Sequence, residues 1–401
     1  MMTNNFSRKV LKNGMTVIFE KRDIPVVSIA FAVRNGGINE DVSEKGISHF
    51  IEHMLYKGTK KRTAKQIAEE IERNGGDLNG FTDEEITAYW CKLPSKHLSI
   101  GLDVLSDMIK NSVFDEKELE KERKVIFEEI KMRKDTPRIY VLDQIQSFLY
   151  NGTLAEPLIG TAETMLAINR DKLVERYKQI YVPKNMILCI VGNADFEEIV
   201  DFAEKNFEGG EGKVPEFKIE LDNKEKIETR NGIDQANFIL AYHVPLGNDK
   251  KSYAATVLNS LMAGGMSSRL FTEIREKRNL AYAVKGSTNI NKDFSYNIVY
   301  VGTEKKNIED VKKLILKEFE DVAKNLSEKE LQQIKDQLIG NYQIAQEDSQ
   351  NQMVNLLSHE LVGDAGEFYD FEKNISNVKL EDVKNLATIK NYSLFALVPS
   401  E

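Results

Sequence analysis

Two histidines and a glutamate near the start of the sequence are the residues best suited to metal chemistry. His49, Glu52 and His53 form a His-x-x-Glu-His pattern in a segment whose apolar residues recur at helical spacing. Residues four apart on a helix lie one above the other, so the two imidazoles would face the same way and could bind one cation. Glu52, adjacent to His53, would then reach a water molecule on that cation. The competing interpretation is a chance match on an ordinary helix, because the pattern fixes only three positions.

A third ligand is expected from another element, because a catalytic zinc usually has three protein ligands and a fourth position for water. Glu129 is the candidate, and Glu122 precedes it by two helical turns, so both carboxylates lie on one face of a predicted helix. Val125 and Ile126 are expected on the same side between them. A carboxylate buried among apolar side chains is costly unless a cation compensates its charge. The competing interpretation is a solvated helix face.

The elements that must position these residues follow from hydrophobic periodicity and from turn and cap signals. A hairpin is predicted at 10–19, a strand at 26–33 and a helix at 43–57 with Ser43 as its N-cap. Thr63 is expected to cap the next helix, which stops at Gly75, and Asp115, in a capping-box pattern with Glu118, is expected to cap the helix predicted at 115–135. Further helices are predicted at 96–110, 115–135, 138–150, within 161–181 and at 196–206, and strands within 78–93 and at 186–191.

The second half of the sequence repeats the order of elements of the first half. A strand at 238–243 and helices at 252–262 and 270–277 correspond to elements of the first half, and a segment rich in glycine and charge at 207–216 precedes them. Strands occur in hairpin-like groups and helices in runs, which favours an α+β fold with antiparallel-rich sheets packed with helices. We therefore predict two similar domains built from a duplicated unit. Their predicted bounds are 1–210 for the zinc-binding domain, 211–225 for a linker and 226–401 for the second domain.

Composition narrows the class of protein. A chain of 401 residues with a net charge of −9 lacks the basic excess of a nucleic-acid binder, so no nucleic-acid partner is expected. No apolar run approaches the roughly 20 residues that a membrane span requires, and no signal peptide is recognisable, so no membrane association is expected. The two cysteines lie in apolar contexts and are expected to be buried thiols. These features predict a cytoplasmic protein.

The run Gly-Ile-Ser-His-Phe-Ile-Glu-His-Met-Leu-Tyr-Lys-Gly-Thr at 46–59 resembles the active-site helix of a known superfamily of inverzincin metallopeptidases. This is the superfamily of pitrilysin and insulin-degrading enzyme, and the likeness is greatest to its half-length branch, which includes mitochondrial processing peptidase and bacterial relatives. The likeness extends over nearly the whole chain, through segments at 75–82, 181–186, 190–195, 264–271 and 274–284.

The resemblance implies a zinc-dependent endopeptidase with one Zn²⁺ per chain. His49, His53 and Glu129 would hold the metal, with the glutamate at the family's spacing of 76 residues after the second histidine. Glu52 would be the general base, and Glu122 would support a metal ligand. The sequence leaves zinc, manganese and cobalt open as the physiological metal. An alternative within the same family is a non-catalytic structural or peptide-binding subunit.

The resemblance also implies how a peptide substrate is bound. Arg275 and Tyr282 would bind substrate and stabilise the transition state, and an extended peptide would pair with the strand Asn79, Gly80, Phe81 and Thr82. Gly80 stands where relatives often carry alanine, and we expect only a slightly looser strand from this difference. Half-length members work as dimers around a chamber, which implies a homodimer that selects unfolded peptides, although the sequence leaves a heterodimer with a second protein open. Arg275 and Tyr282 are then expected to act on the zinc site of the other subunit.

Overall fold

The computed structural model describes residues 5–400, which form two compact units. Unit 1 contains the chain from residue 5 to 131 together with 156–218 and 345–368, and unit 2 contains 132–155, 219–344 and the chain from 369 to 400. One change of unit, after residue 218, falls within the predicted linker at 211–225. Each unit also takes a short segment from the other half of the sequence. The predicted domain bounds 1–210 and 226–401 stay a prediction.

The strands alternate with runs of helices along the described chain. Within residues 5–400 the strands are β1 (Phe6–Val10), β2 (Thr16–Lys21), β3 (Val26–Val33), β4 (Asp77–Thr82), β5 (Thr87–Pro94), β6 (Tyr150–Asn151), β7 (Met186–Gly192), β8 (Glu220–Leu221), β9 (Glu225–Arg230), β10 (Ala236–His243), β11 (Ala281–Ile290), β12 (Ser295–Thr303) and β13 (Ser393–Pro399).

The α-helices of the same part of the chain are α1 (Ile47–Leu55), α2 (Ala64–Glu72), α3 (Leu98–Asn111), α4 (Glu116–Asp135), α5 (Pro137–Gln144), α6 (Gln146–Leu149), α7 (Ala162–Ala167), α8 (Arg170–Ile180), α9 (Phe196–Asn206), α10 (Ser252–Ala263), α11 (Ile308–Asn325), α12 (Glu328–Ala345), α13 (Ser349–Val362), α14 (Phe371–Ser376) and α15 (Leu380–Ala387). A π-helix covers Phe271–Glu276. No helix within residues 5–400 is both long and apolar enough to cross a bilayer.

The two units contain sheets with the same strand order. The sheet of unit 1 runs β1-β2-β7-β3-β5-β4, and the sheet of unit 2 runs β9-β13-β10-β12-β11. All neighbouring strands are antiparallel except one pair in each sheet, β2 with β7 and β9 with β13, which occupy the same place in the order. The match covers all five strands of the second sheet, with β1 as an addition to the first. This confirms the predicted α+β fold of two similar, antiparallel-rich units.

Each unit has its own hydrophobic core between its sheet and its helices. In unit 1 the central strands β3 and β7 are buried along almost their whole length, which explains why both read as continuous apolar runs in the sequence. Strand β4 lies at the edge of this sheet and is partly exposed. A row of backbone groups on β4 is therefore available at the sheet edge nearest the predicted metal ligands.

The helix that carries the two histidines begins later than predicted. Its first residue is Ile47, and Gly46 at its N-terminus has φ of +93°, whereas Ser43 lies in a separate 3₁₀ turn and does not cap it. The capping group is the carboxylate of Glu40, which accepts from the N–H groups of Gly46 at 2.8 Å and Ser48 at 2.7 Å. A helix cap is predicted from the polar residue directly before the helix. In this helix the capping side chain is a glutamate that lies six residues before Gly46 in the sequence.

Other predicted caps are confirmed. At the start of α2 the Thr63 side chain accepts a hydrogen bond from the N–H of Gln66, and the Thr63 N–H donates to the side-chain oxygen of Gln66 at 2.9 Å. Asp115 accepts from the N–H groups of Lys117 and Glu118 at the start of α4. These bonds satisfy N–H groups that a helix cannot pair internally.

A buried carboxylate on α13 binds one arginine of β1 and the arginine that follows β3. Glu360 accepts two hydrogen bonds from Arg8, both at 2.8 Å, and one from Arg34 at 2.6 Å, and its side chain is 1% exposed. Burial opposes its ionisation, but the hydrogen bonds from Arg8 and Arg34 outweigh this effect and hold the pKa of Glu360 below its usual value.

We expect Glu360→Gln to lower the free energy of unfolding by about 3 kcal/mol at neutral pH, because two partly buried guanidinium groups lose their counter-charge. Since the native pKa lies below the unfolded one, this stabilisation is present above the unfolded-state pKa and is lost as the pH falls through the native pKa. Urea unfolding of the metal-free protein between pH 7 and the acid range measures both effects. Glu367→Gln, at an exposed position nearby, is the control. Equal stability of wild type and Glu360→Gln at pH 7 would contradict this account.

Candidate metal centre

The predicted ligands converge in unit 1. His49 Nε2 and His53 Nε2 lie 3.2 Å apart, and Glu129 Oε2 lies 3.5 Å from the first and 3.8 Å from the second. Among residues 5–400 this is the one group of His, Cys, Asp and Glu side chains whose ligand atoms approach one another closely enough to hold a metal ion. The sequence-based choice of Glu129, far along the chain on another helix, thus matches the position of its side chain.

The spacing of the three atoms fits a zinc ion. With zinc–ligand bonds of about 2.0–2.2 Å, tetrahedral ligand atoms stand about 3.4 Å apart, close to the spacing of these atoms. Two imidazole nitrogens and a carboxylate oxygen are also ligand types that zinc accepts in catalytic sites. Three protein donors leave a fourth tetrahedral position for water or substrate.

Two helices place the ligands. Helix α1 buries Phe50, Ile51 and Met54 in the core, which fixes the orientation of the histidines on its remaining face. Helix α4 buries Ile126, but Val125, which we expected beside it between the carboxylates, is 48% exposed. Both Val125 and Ile126 lie between the carboxylates in helical spacing, but on opposite sides of that face. Ile126 lies on the same side as the buried Glu122, which is 6% exposed, whereas Val125 lies on the side of Glu129, whose side chain is 25% exposed. The carboxylate face of α4 is therefore buried on one side and open on the other.

Glu122 contacts one of the two histidines and a lysine. Its Oε2 lies 3.0 Å from His53 Nδ1, and its Oε1 accepts from Lys57 Nζ at 2.7 Å. Burial alone would raise the pKa of Glu122, but the hydrogen bonds from His53 and Lys57 outweigh it and hold that pKa below its usual value. An ionised Glu122 keeps the proton of His53 on Nδ1, so that Nε2 is free to bind a metal. Lys57 was not singled out in the sequence, although it lies one helical turn after His53.

Glu52 lies beside the three ligands and is fixed by Thr82. The Thr82 hydroxyl donates to Glu52 Oε2 at 2.6 Å, which joins α1 to the edge strand β4. Burial raises the pKa of Glu52, the hydrogen bond from Thr82 opposes the increase, and the carboxylate of Glu129 adds to it. A carboxylate with a raised pKa is a better proton acceptor than one in water.

The four residues predicted to bind an extended peptide all lie on β4. Asn79, Gly80, Phe81 and Thr82 belong to this edge strand, which pairs with β5 on its other side only. Gly80 has a further role that we did not expect. A Cβ added there would lie 2.5 Å from the Tyr56 hydroxyl oxygen and 3.3 Å from Glu52 Oε1, so glycine makes room for side chains of α1.

Arg275 and Tyr282 lie in unit 2, and each occupies an irregular element. Arg275 is part of the π-helix, with its guanidinium 4.7 Å from the centre of the Phe271 ring, and is 44% exposed. Tyr282 lies at an irregularity of the pairing between β11 and β12, with its ring over Gly302, and is 49% exposed. π-Helices and β-bulges are frequent at functional sites, where they redirect a side chain.

Comparison with known proteins gives the family. Residues 16–162 match the insulinase family (peptidase family M16), and residues 167–338 match the peptidase M16 inactive domain. Uncharacterized zinc protease YmxG of Bacillus subtilis (strain 168) is 32% identical over 402 residues, with 98% of each chain covered. An uncharacterized zinc protease of Rickettsia felis is 32% identical over 396 residues, which cover 96% of this chain and 95% of the relative.

Solved structures share the fold. The crystal structure of a protease from Helicobacter pylori superposes with a TM-score of 0.91 at 22% identity, covering 98% of this chain and 99% of the other. The relatives that match over their whole length carry the name zinc protease, which supports a metallopeptidase. The chain belongs to peptidase family M16, the insulinase family, as one of its half-length members.

Proposed function

We propose that this protein is a zinc-dependent endopeptidase that hydrolyses unfolded peptides, with His49, His53 and Glu129 as the ligands of one zinc ion per chain. The observation that carries the proposal is the convergence of these three side chains on one point. Glu52 lies beside them, is bound by Thr82 and is not one of the three ligands. A purely structural zinc site would use four protein ligands and would need no neighbouring base. The names of the relatives support the same activity.

The bound metal would polarise the peptide carbonyl and lower the pKa of the attacking water. In this proposal Glu52 would accept a proton from the attacking water and would later pass it to the leaving amine. Thr82 keeps the carboxylate turned toward the site by binding Oε2. Glu122 keeps His53 in the tautomer whose Nε2 is unprotonated.

The substrate in this proposal is an extended peptide that pairs with β4. The strand is at a sheet edge, its outer backbone groups are unpaired within the sheet, and Thr82 at its end contacts Glu52. A peptide paired there gains main-chain hydrogen bonds that depend little on its sequence. Few segments of a folded protein are extended with free backbone groups, whereas an unfolded peptide offers them throughout, so unfolded peptides are the substrate class in this proposal.

The protein acts as a homodimer in this proposal, and Arg275 and Tyr282 of one subunit serve the metal site of the other. Their guanidinium and phenol groups are donors for the negative charge that builds up on the carbonyl oxygen during hydrolysis. Both side chains are about half exposed and are therefore available to a substrate. The two free, buried cysteines support a cytoplasmic location.

The proposal is tested by metal analysis of freshly purified protein together with hydrolysis of a quenched-peptide library. One zinc per chain and activity that a chelator removes and zinc restores are expected. Bound zinc without hydrolysis of any peptide would support the alternative, a non-catalytic peptide-binding or structural subunit. Absence of both metal binding and hydrolysis would contradict a metal site of either kind.

Action between subunits can be tested with two inactive variants. Subunits with Glu52→Gln lack the base, and subunits with Tyr282→Phe lack the donor, so a mixed dimer contains one site with both groups intact. We expect mixtures to recover activity above that of either parent, approaching a quarter of the wild-type value for random mixing at equal amounts. Mixing is verified by native mass spectrometry of differently tagged chains. Mixed dimers without recovery would indicate that each site is completed within one chain.

A further inference from the structure

Helix α1 faces strand β4 through two successive contacts. Glu52 and Tyr56 are four residues apart and lie on one face of the helix, and Thr82 and Gly80 are two residues apart and lie on one face of the strand. The first contact is the hydrogen bond between Thr82 and Glu52. The second is the close approach of the Tyr56 hydroxyl to Gly80. Tyr56 is thus one helical turn from the general base on the side that faces the edge strand.

The Tyr56 hydroxyl oxygen is buried and has no hydrogen-bond partner among the described residues. It lies 2.5 Å from the point that a Cβ on Gly80 would occupy, and Glu52 Oε1 lies 3.3 Å from the same point. Thr82 occupies the other carboxylate oxygen, Oε2. The unpartnered O–H donor and the carboxylate oxygen that Thr82 does not bind therefore border the same small space.

The neighbouring tyrosines show what a structural hydroxyl in this region does. Tyr89 and Tyr181 pair their hydroxyl groups at 2.6 Å, and the Tyr177 hydroxyl donates to the carbonyl oxygen of Ile109 at 2.5 Å. The ring of Tyr56 packs with that of Tyr89, which a phenylalanine would do equally well. A buried O–H group without a partner destabilises the folded protein, so packing gives no reason for the hydroxyl of Tyr56.

We propose that Tyr56 is a positioning residue for Glu52, and that its hydroxyl, which has no partner among residues 5–400 of the resting protein, donates to Glu52 Oε1 during the reaction through a small shift of the side chain. The inference rests on the proposed peptidase function. With Thr82 on Oε2 and Tyr56 on Oε1, the carboxylate is held at both oxygens while it receives and returns the proton. Burial raises the pKa of Tyr56 well above its usual value, and the charge of Glu52 adds to this, so the phenol keeps its proton and remains a donor.

The test compares Tyr56→Phe with Tyr177→Phe in zinc-loaded protein, with kcat, KM, zinc content and thermal unfolding of each. We expect Tyr56→Phe to lower kcat about 10- to 100-fold with KM and zinc content unchanged, since a hydrogen bond to a charged group is lost. Its Tm should stay equal or rise, because the hydroxyl it removes lacks a partner in the resting protein. Tyr177→Phe should show the opposite pattern, with normal kcat and a lower Tm, because it leaves the carbonyl of Ile109 unpaired.

A double-mutant cycle with Thr82→Val then asks whether Tyr56 acts through Glu52. Because both hydroxyl groups would hold the same carboxylate, the combined effect on kcat should depart from the product of the single effects. A wild-type kcat in Tyr56→Phe, a lower Tm in that variant, or single effects that multiply without departure would each overturn the inference while leaving the peptidase function intact. A wild-type protein without chelator-sensitive hydrolysis would overturn both.

Discussion

Replacing Glu52 by glutamine is expected to lower kcat by about 10²- to 10⁴-fold without loss of zinc or of the fold. The glutamine side chain has the same shape and can still accept the Thr82 hydroxyl, but it cannot accept a proton from water. The measurement is kcat on a quenched peptide, with zinc content by mass spectrometry and circular dichroism on the same sample. Because the group removed acts in the chemical step, KM should change little.

Glu128→Gln is the matched control, since it removes the same charge from an exposed position next to the ligand Glu129. It should have wild-type kcat. If Glu52→Gln retained wild-type turnover with zinc bound, Glu52 would not be the general base. If Glu52→Gln lost zinc, the carboxylate would belong to the ligand set, and the triangle of His49, His53 and Glu129 would be an incomplete description.

Replacing Glu129 by glutamine is expected to remove zinc binding and activity together. The variant keeps the shape of the side chain but loses the one negative charge among the three ligand atoms, which lie 3.2 to 3.8 Å apart. The loss of zinc affinity should exceed the roughly 10- to 100-fold that removal of a supporting group such as Glu122 costs. Competition with a chromophoric chelator measures the zinc Kd of Glu129→Gln, Glu122→Gln and Glu128→Gln.

The expected order of zinc affinity is Glu128→Gln equal to wild type, then Glu122→Gln, then Glu129→Gln. Both substitutions remove one negative charge from α4, but positions 128 and 129 lie on different faces of the helix. A difference in zinc affinity between the two variants therefore reports the position of the carboxylate and not the loss of charge. Equal affinity of Glu129→Gln and Glu128→Gln would show that the third ligand is another residue.

Much of the fold was predictable from local patterns. The strand at 26–33, the helix at 196–206 and the caps at Thr63 and Asp115 follow from periodicity and side-chain chemistry within a few residues. The duplication was predictable from the order of elements, and the shared strand order of the two sheets confirms it. The N-terminus of α1 was predicted wrongly, because its cap is the carboxylate of Glu40 and is not an adjacent residue.

Local sequence patterns also do not predict that residues 132–155 belong to unit 2 and that residues 345–368 belong to unit 1. The first of these segments begins inside α4, where no turn marks the boundary, whereas the second begins at the last residue of α12, just before the turn that leads into α13. The unit to which a helix belongs depends on which hydrophobic core it packs against, and this packing is decided only in the folded chain.

For the candidate site, the pattern of His49, Glu52 and His53 predicts a shared cation, because helix geometry alone brings these side chains to neighbouring positions. Glu129 was a candidate third ligand on another helix. Only the likeness to a known family singled it out from the other glutamates of that helix. Lys57 and Tyr56 were missed, although both lie within one turn of the motif. Lysine on a helix surface and tyrosine in a core are ordinary, and their roles depend on contacts with Glu122 and Gly80 that only the tertiary structure shows.

The most direct test of the central claim is anomalous diffraction at the zinc edge from crystals of zinc-loaded protein. The account predicts one peak per chain about 2.0–2.2 Å from His49 Nε2, His53 Nε2 and a carboxylate oxygen of Glu129, with a fourth position taken by water. It also predicts that His53 Nδ1 remains bound to Glu122. A peak away from these three side chains, or a fourth protein ligand that closes the site, would contradict the account.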